Sequence, residues 1–473
     1  MRKILVFLFC SLFLIFPSSV SAHAFGQLYT LPIPVWLYLW GGGAAVLVSF
    51  ILIGFFVGQK DTSFTYPKVD ISRLLTIRFL TSKAFRFFLE ITSLLIFALT
   101  ILAGFLGPKT ATDNFATIFV WIIFWLGLTY FTALLGNLWS SSINPFKILI
   151  ELFEQIKING ITGLIAYPKK LGYLPALIFF YIFIWLELLS SGWGTKPAYL
   201  SSIIVVYTLI NLSGVVLFGK NSWFKYCEFF SVFFALIGKI SPFKITNGRI
   251  FLRPPFVGLL DEEAGSFSLL LFIVFMLAST AFDGFRATTS WRRIDYSISQ
   301  VALGNISYQT VQSALLALSP VFFLALYLWA IVLIKTMIKT DYSLWDLARK
   351  FAYSLIPITL AYNIAHYYTL LIVQGQSIIP AVSDPLNLGW NLFNGSGYVV
   401  NVGIVSASFI WHSQVAVIII GHIAAVFIAH IIALRVFPSP KKAILSQIPM
   451  LILMIAYTIT GLWILSQPLA LGG

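Results

Sequence analysis

The sequence predicts an all-α membrane protein, a polytopic transmembrane helix bundle of about ten spans with both termini outside. Its 473 residues are 59% hydrophobic and only 10% charged, which excludes a soluble protein because such a chain cannot present a polar surface to water. Apolar runs of roughly 17 to 25 residues, long enough to cross a bilayer, recur along the chain. Lys and Arg alternate between the intervening segments, which indicates the orientation.

The apolar runs define the individual spans and a single polytopic membrane domain over residues 23–473. We predict spans at 35–57, 88–106, 115–136, 173–190, 199–218, 266–282, 314–338, 351–374, 408–432 and 448–466. Ten spans after an outer N-terminus return the C-terminus to the outer side.

Basic residues separate the connecting segments into two sets. One set of alternate segments carries 23 Lys and Arg residues, whereas the other carries only Lys109, Lys196, Arg286, Arg292 and Arg293. Because cytoplasmic loops hold the positive excess, the first set is predicted to lie inside. The net charge of +14 is then a topology signal and an attraction to anionic lipid, and it requires no nucleic-acid partner.

The first 22 residues are typical of a secretory signal peptide. Arg2 and Lys3 precede the apolar run 4–16, and small residues stand at Val20 and Ala22 before the predicted cleavage site. Cleavage there makes His23 the first residue of the mature chain. Its imidazole and α-amine together offer two nitrogen donors for a copper ion.

Two segments of the inner loops are predicted to be more than connections. In 144–157, Lys147, Glu151 and Glu154 fall on one helical face and apolar residues on the other, which predicts an amphipathic helix on the cytoplasmic membrane surface. The Phe-rich segment 224–240 is predicted to be a second interfacial or re-entrant element.

Titratable residues within the spans are the candidates for function, because a charge at membrane depth is costly. They are Glu90, Glu187, Asp283, His366, His412, His422 and His430. Four of them are histidines in the eighth and ninth spans. His366 lies on a polar stripe of its helix, and the three histidines of the ninth span are oriented toward one side.

Three uses of these histidines follow from their spacing. His412, His422 and His430 lie about 15 Å and about 12 Å apart along one helix, so a single ion cannot bind to two of them. One transition metal, zinc or copper, would need donors from several helices, with Asp283 and His366 joined by His412 or His422. Alternatively, His412, His422 and His430 form a proton or ion relay, or the imidazoles only hydrogen-bond between helices.

Several short blocks resemble the bacterial fenitrothion hydrolase-like integral membrane proteins. They are HAFGQ at 23–27, LPIPVWLY at 31–38, GNLW at 136–139, WLE at 185–187, LRPP at 252–255, STAFDG at 279–284, AHY at 365–367, QGQ at 374–376 and GH at 421–422. The resemblance implies hydrolysis of an organophosphorus triester. The chain has no His-x-His pair, which soluble phosphotriesterases use to hold two metals, so a single metal with Asp283 and His366 as the catalytic residues is expected.

The sequence therefore predicts a multi-pass protein of the bacterial inner membrane whose partners are lipid and an apolar small molecule or metal ion. The first functional hypothesis is metal-assisted hydrolysis of an apolar ester near the outer leaflet. The second is a transition-metal or proton-coupled transporter with a histidine pathway. The third is a membrane accessory protein without turnover. His430 separates the first two, since only a relay needs a histidine near the cytoplasmic end.

Overall fold

A computed structural model describes residues 22–24, 27–29, 33–56, 65–155, 163–190, 192–246, 249–302, 308–437 and 439–467. The predicted signal peptide, except Ala22, and the end of the chain from 468 lie outside this part. The helices are α1 Val35–Phe56, α2 Leu75–Leu80, α3 Lys83–Leu106, α4 Phe115–Leu135, α5 Pro145–Gln155, α6 Leu174–Leu188, α7 Pro197–Phe218, α8 Lys220–Tyr226, α9 Phe229–Gly238, α10 Phe267–Arg286, α11 Thr289–Ala302, α12 Tyr308–Ile338, α13 Leu344–Phe351, α14 Ile356–Val373, α15 Ile378–Ser383, α16 Ala407–Val436 and α17 Pro440–Ser466.

The prediction of an all-α polytopic bundle is confirmed. Among the described residues, nine helices are long and apolar enough to cross a membrane, and they coincide with nine of the ten predicted spans. The strands are short: β1 Ala22–Ala24 pairs with β2 Gln27–Tyr29, and β5 Arg249–Leu252 lies between β3 Val69–Asp70 and β4 Phe243–Thr246. The chain is therefore a multi-pass membrane protein.

The predicted span at 173–190 is a shorter helix, α6, of 15 residues. At about 1.5 Å per residue it covers roughly 22 Å, less than the hydrocarbon core. Hydrogen bonds of its flanking residues connect it to the starts of α10 and α12. Tyr173 N donates to Ser268 Oγ at 2.8 Å beside the start of α10, and Leu189 O accepts from Gln309 Nε2 at 2.8 Å beside the start of α12. Helix α6 thus runs parallel to α10 between the two faces of the bundle.

The connecting segments fall on the two faces as the basic residues predict. β3 precedes α3 and β5 precedes α10, and their pairing brings two basic segments to one face. At the other face, Trp121 Nε1 donates to Gly194 O at 2.8 Å, which joins two segments poor in Lys and Arg. The start of α1 lies beside the end of α17, because an added Cβ at Gly42 would be 2.8 Å from Leu462. Below, the basic face is called the inner face and the opposite one the outer face, the orientation that the basic residues predict.

The acidic segment 261–263 ties the loops of the inner face together. Asp261 accepts from Lys244 at 2.7 Å, from Arg253 at 2.9 Å and from the Tyr66 hydroxyl. Two further pairs join Glu262 to Lys239 at 2.8 Å and Glu263 to Lys350 at 2.7 Å. The three consecutive carboxylates therefore form ion pairs with Lys and Arg residues from different parts of the chain. The side chain of Arg253 is only 5% exposed, so its charge depends on Asp261.

Both predicted inner-loop elements are helical, in different ways. Within 144–157, the residues Pro145–Gln155 form α5, which begins where Asn144 Oδ1 accepts from Lys147 N at 3.1 Å, and positions 156 and 157 lie outside the described part. The segment 224–240 contains the end of α8 and all of α9. Nearly every residue of α9 is buried inside the bundle, so this helix does not lie on its surface.

Helices α14 and α16 pack closely because Gly421 has no side chain. A Cβ added at Gly421 would lie 2.2 Å from the Ala361 Cβ and 2.9 Å from the Pro357 carbonyl oxygen. The two backbones approach at this point, one residue before His422. In membranes, where helix association relies on van der Waals contact, small residues at crossings permit this distance.

Gly421→Ala is expected to force α14 and α16 apart and to destabilise the protein by about 1–3 kcal/mol, as overpacking of a core does. Thermal unfolding in detergent micelles measures the effect. Gly41→Ala is the matched control, because a Cβ there meets nothing within 4 Å and alanine favours the helix. Equal melting temperatures for the two variants would contradict the close crossing.

Asp261 should make stability depend on pH. Burial favours its neutral form, but hydrogen bonds from Lys244 and Tyr66 outweigh burial and lower the pKa of the carboxyl below its ordinary value. A lowered folded-state pKa stabilises the fold at neutral pH, and this stabilisation is lost as the pH falls through the folded-state pKa. Asp261→Asn should cost about 3 kcal/mol at pH 7, because it leaves Arg253 unpaired.

The measurement is thermal unfolding in detergent at pH 7 and at pH 3. The difference between wild type and Asp261→Asn should shrink at pH 3. Asp341→Asn, which removes an exposed carboxylate on the inner face, serves as the control and should change little at either pH. A difference for Asp261→Asn that stays constant between the two pH values would refute this account.

Candidate functional site

Asp283 is the centre of a hydrogen-bonded cluster inside the bundle. It lies in the last turns of α10, a helix that begins where Ser266 Oγ accepts from Leu269 N at 3.2 Å and that is buried along most of its length. Asp283 Oδ2 accepts from His366 Nε2 at 3.0 Å and from the Tyr367 hydroxyl at 2.7 Å. The side chains of Asp283 and His366 are each 15% exposed. The carboxylate is thus shielded, and two donors from α14 hold it.

The ring of His366 has a fixed orientation. It lies parallel to the Tyr362 ring, at 6.4 Å between centroids and 7° between planes, and edge-on to the Tyr367 ring at 4.5 Å. Gly284 makes room for Tyr362, since an added Cβ would be 2.9 Å from the Tyr362 hydroxyl, whereas its distance of 3.5 Å from His366 Cε1 is an ordinary contact. Asp283 therefore binds the two donors of α14, and its neighbour Gly284 leaves space for the Tyr362 side chain.

Glu187 is a second carboxylate near the cluster. It occupies the last turn of α6, which accompanies α10 toward the outer face, and its charge interacts with that of Asp283 and with Tyr367. Among the described residues no hydrogen-bond donor reaches it. Arg286, one turn beyond Asp283, adds a positive charge on the outer side. The site thus combines two carboxylates, an imidazole, a phenol and a guanidinium.

Below Asp283, toward the middle of the bundle, lies a small cavity of about 10 Å³ whose lining is mainly apolar with several polar groups. Its polar lining residues are Thr129, Ser279, Thr280, Thr359, Asn363 and Tyr367. The side-chain oxygen Oδ1 of Asn363 is buried and has no partner in the described part of the chain. A cavity of this size holds about one water when two to four polar groups surround it. Tyr367 therefore joins the Asp283 cluster to a site suited to one water.

The three histidines of α16 lie at separate places. His412 is exposed at the outer end, where its Nδ1 donates to Ser408 O at 2.8 Å and its Nε2 accepts from Tyr38 at 3.3 Å. His422 is buried, with Nδ1 donating to Ile418 O at 2.8 Å and Nε2 unpartnered within the described residues.

His430, the third, is buried nearer the inner face, 3.0 Å from the side-chain amide of Gln447. His23 stands in β1, and the position of its side chain is outside the described part.

The structure brings together two of the predicted metal ligands, Asp283 and His366. It does not gather them with His412 or His422 into one group. Among the residues described, no three His, Cys, Asp or Glu side chains lie close enough to share a metal ion. Asp283 and His366 are instead hydrogen-bonded directly to each other, with Tyr367 as a second donor to the carboxylate.

Glu228 is a buried carboxylate that was not among the predicted candidates, because it lies outside the predicted spans. It caps the N-terminus of α9, accepting from Phe230 N at 3.1 Å and Ser231 N at 2.8 Å. Side-chain donors complete its shell: Ser231 Oγ at 2.6 Å, Trp139 Nε1 at 3.1 Å and Tyr207 OH at 2.9 Å. The available signal was a single acidic residue directly before a Phe-rich run, the position of a helix cap.

Fold and site define the class of this protein: a multi-pass α-helical membrane protein with a carboxylate, histidine and tyrosine cluster buried near one face. Comparison of the chain with protein-family models, curated proteins and solved structures gives no match. The resemblance to fenitrothion hydrolase-like proteins therefore stays a prediction that rests on the short sequence blocks alone.

Proposed function

We propose that this protein is a proton-coupled transporter of the bacterial inner membrane, in which Asp283 binds and releases the coupling proton. The observation that supports this most directly is that Asp283, at membrane depth, accepts hydrogen bonds from both His366 and Tyr367. Intramembrane carboxylates and histidines in contact with each other are the usual elements of proton relays. The outer side is assigned by the positive-inside rule.

The chemistry of the cluster favours proton exchange. Two interacting carboxylates, Glu187 and Asp283, do not both carry a charge at low cost in a membrane, so one proton is shared in their neighbourhood. His366 can hold that proton when Asp283 is ionised, since the two side chains are in direct hydrogen-bond contact. The cluster therefore offers more than one position for a proton.

A continuation toward the inner face is available. Tyr367 lines the water-sized cavity that also contains the unpartnered oxygen of Asn363, so a proton leaving Asp283 has a polar position to reach. Beyond it, His422 offers an unpartnered Nε2, and His430 lies two turns further along α16. These groups span the depth between the cluster and the basic loops.

The test uses purified protein in liposomes that contain a pH-sensitive dye, with an imposed pH difference. Wild type should carry protons faster than protein-free liposomes, and Asp283→Asn should reduce the flux to that background. Asp113→Asn is the matched control, because Asp113 is an exposed carboxylate of an outer loop whose side-chain partners among the described residues are Thr110 and Thr112. His430→Gln should lower the flux, whereas His412→Gln should not.

Infrared spectra recorded between acid and alkaline pH give an independent readout. Wild type should show the stretching band of a protonated buried carboxyl that changes with pH, and Asp283→Asn should remove that change. If flux and spectra of Asp283→Asn both equal those of wild type, Asp283 binds no coupling proton and the proposal fails.

A second candidate is hydrolysis of an organophosphorus or related apolar ester at the same site. It is favoured by the pairing of Asp283 with His366 Nε2, which leaves Nδ1 without a described partner. A carboxylate-oriented imidazole can accept a proton from water as the water oxygen bonds to phosphorus and the aryloxide leaves. Bound metal could supply further activation, with Asp283 and His366 as two of its ligands.

Release of the nitrophenol product from fenitrothion, followed by absorbance, distinguishes the two candidates. For a hydrolase, His366→Gln should lower turnover by about a hundredfold, the usual contribution of a general base. His430→Gln should leave turnover unchanged, since His430 bonds to Gln447 far from the pair. Absence of product with wild-type protein, with and without added zinc, would contradict this second candidate.

A further inference from the structure

A large apolar cavity lies on the side of the bundle formed by α3, α4, α6, α7 and α9. Its volume is about 500 Å³, within the range of small-molecule sites, roughly 300–1,000 Å³. Nearly all of its lining side chains are aliphatic or aromatic. Ile182 and Phe131 line it and are also exposed, so it opens on the outside of the bundle, where a membrane presents lipid chains.

The cavity is elongated along the membrane normal. It reaches from Leu89 to Thr100 on α3, eleven residues that rise about 16 Å along the helix. On α6 it is lined by Phe179, Ile182, Phe183 and Leu186, one continuous helical face. An elongated apolar cavity parallel to the spans has a shape that suits a hydrocarbon chain.

The polar atoms of its aromatic walls bond away from the cavity. Trp139 Nε1 and Tyr207 OH both donate to Glu228, and Trp121 Nε1 donates to Gly194 O. Only ring surfaces are therefore presented to an occupant. This arrangement suits an apolar chain and offers these polar groups to no polar ligand.

Two π-helical segments form part of the wall. Phe119–Gly127, within α4, contributes Trp121 and Phe124, and Trp139–Ile143 contributes both of its ends. A π-helix is rare and is usually a single turn at a functional site. Nine residues of π-helix along the cavity indicate that the wider backbone is maintained to shape it.

A basic residue stands at the inner end. Pro145 and Phe146 line the cavity there, and the next residue, Lys147, extends its Nζ to the Ser140 carbonyl at 2.9 Å. Within the described residues no carboxylate lies within 4 Å of Lys147, whereas nearby Arg86 and Lys220 are both paired with Glu. The Lys147 ammonium is thus available to an anion at the level of the inner leaflet.

We infer that this cavity binds one acyl chain of an anionic phospholipid of the inner leaflet, with the lipid phosphate at Lys147. The apolar walls recognise the chain, and the ammonium recognises the phosphate, which an anionic lipid surface supplies on the cytoplasmic side. The site is separate from the Asp283 cluster and does not depend on the proton-coupled function.

Native mass spectrometry of detergent-purified, delipidated protein tests this inference. The probes are phosphatidylglycerol and phosphatidylcholine with identical chains. Wild type should retain one phosphatidylglycerol molecule about tenfold more strongly than phosphatidylcholine, the ratio for about 1.4 kcal/mol of charge attraction. Lys147→Gln should abolish this preference.

Ile204→Trp, which fills the cavity from α7, should abolish retention of both lipids. Val206→Trp is the control, since Val206 lies on the same helix but is 54% exposed to the exterior. Retention by Ile204→Trp equal to that of Val206→Trp would overturn the site. If Ile204→Trp fails to fold, Lys147→Gln decides, and an unchanged preference for phosphatidylglycerol in that variant overturns the inference.

Discussion

The architecture depends on the cost of placing a carboxylate among lipid chains. A buried carboxylate must collect donors from the protein itself, because water is absent from the bilayer core. Glu228 collects five, from two backbone amides and three side chains, and so fixes α9 against Trp139 and Tyr207. Asp283 collects two, both from α14. The fully satisfied carboxylate is suited to a structural role and the less satisfied one to chemistry.

Charged groups are paired differently on the two faces of the bundle. On the inner face, bases and carboxylates pair in contact with water, where each isolated pair contributes little and a network of several contributes more. Arg253 is the exception, since it is almost fully buried and also donates to the carbonyls of Ser241 and Lys239 at 3.2 Å each. Near the outer face, charge is concentrated in a few groups that interact inside the bundle.

The orientation that the basic residues indicate stays a prediction. Hydropathy patterns were sufficient to predict nine of the described helices as spans in the right order, because apolar runs are a property of local composition. They predicted α6 as a normal span, but its ends are set by bonds to Ser268 and Gln309, which lie far away in sequence. Asp283 and His366 were both selected as costly intramembrane groups. Their direct contact was not predictable, because it appears only when α10 and α14 are placed together.

The remaining features of the site depended on information that a single sequence does not display. Helical spacing placed His412, His422 and His430 toward one interior. His412 instead bonds to Tyr38 of α1 and His430 to Gln447 of α17, because α16 contacts different helices along its length, while His422 bonds to the Ile418 carbonyl of its own helix. Glu228 was overlooked since it lies outside every span. The π-helical segments have the same composition as ordinary apolar helix.

The sequence distance between bonded partners has a consequence for synthesis in the membrane. Trp139 and Tyr207 precede Glu228, so every donor outside α9 has already been translated when Glu228 leaves the ribosome. The partners of Asp283 lie 83 and 84 residues later. At a translation rate of about 5–20 residues per second, they are synthesised roughly 4 to 17 seconds after Asp283. During that interval the carboxyl group of Asp283 lacks its two hydrogen-bond donors from α14. Until α14 is inserted, the group must either be kept out of the lipid by the insertion machinery or be neutralised by a proton.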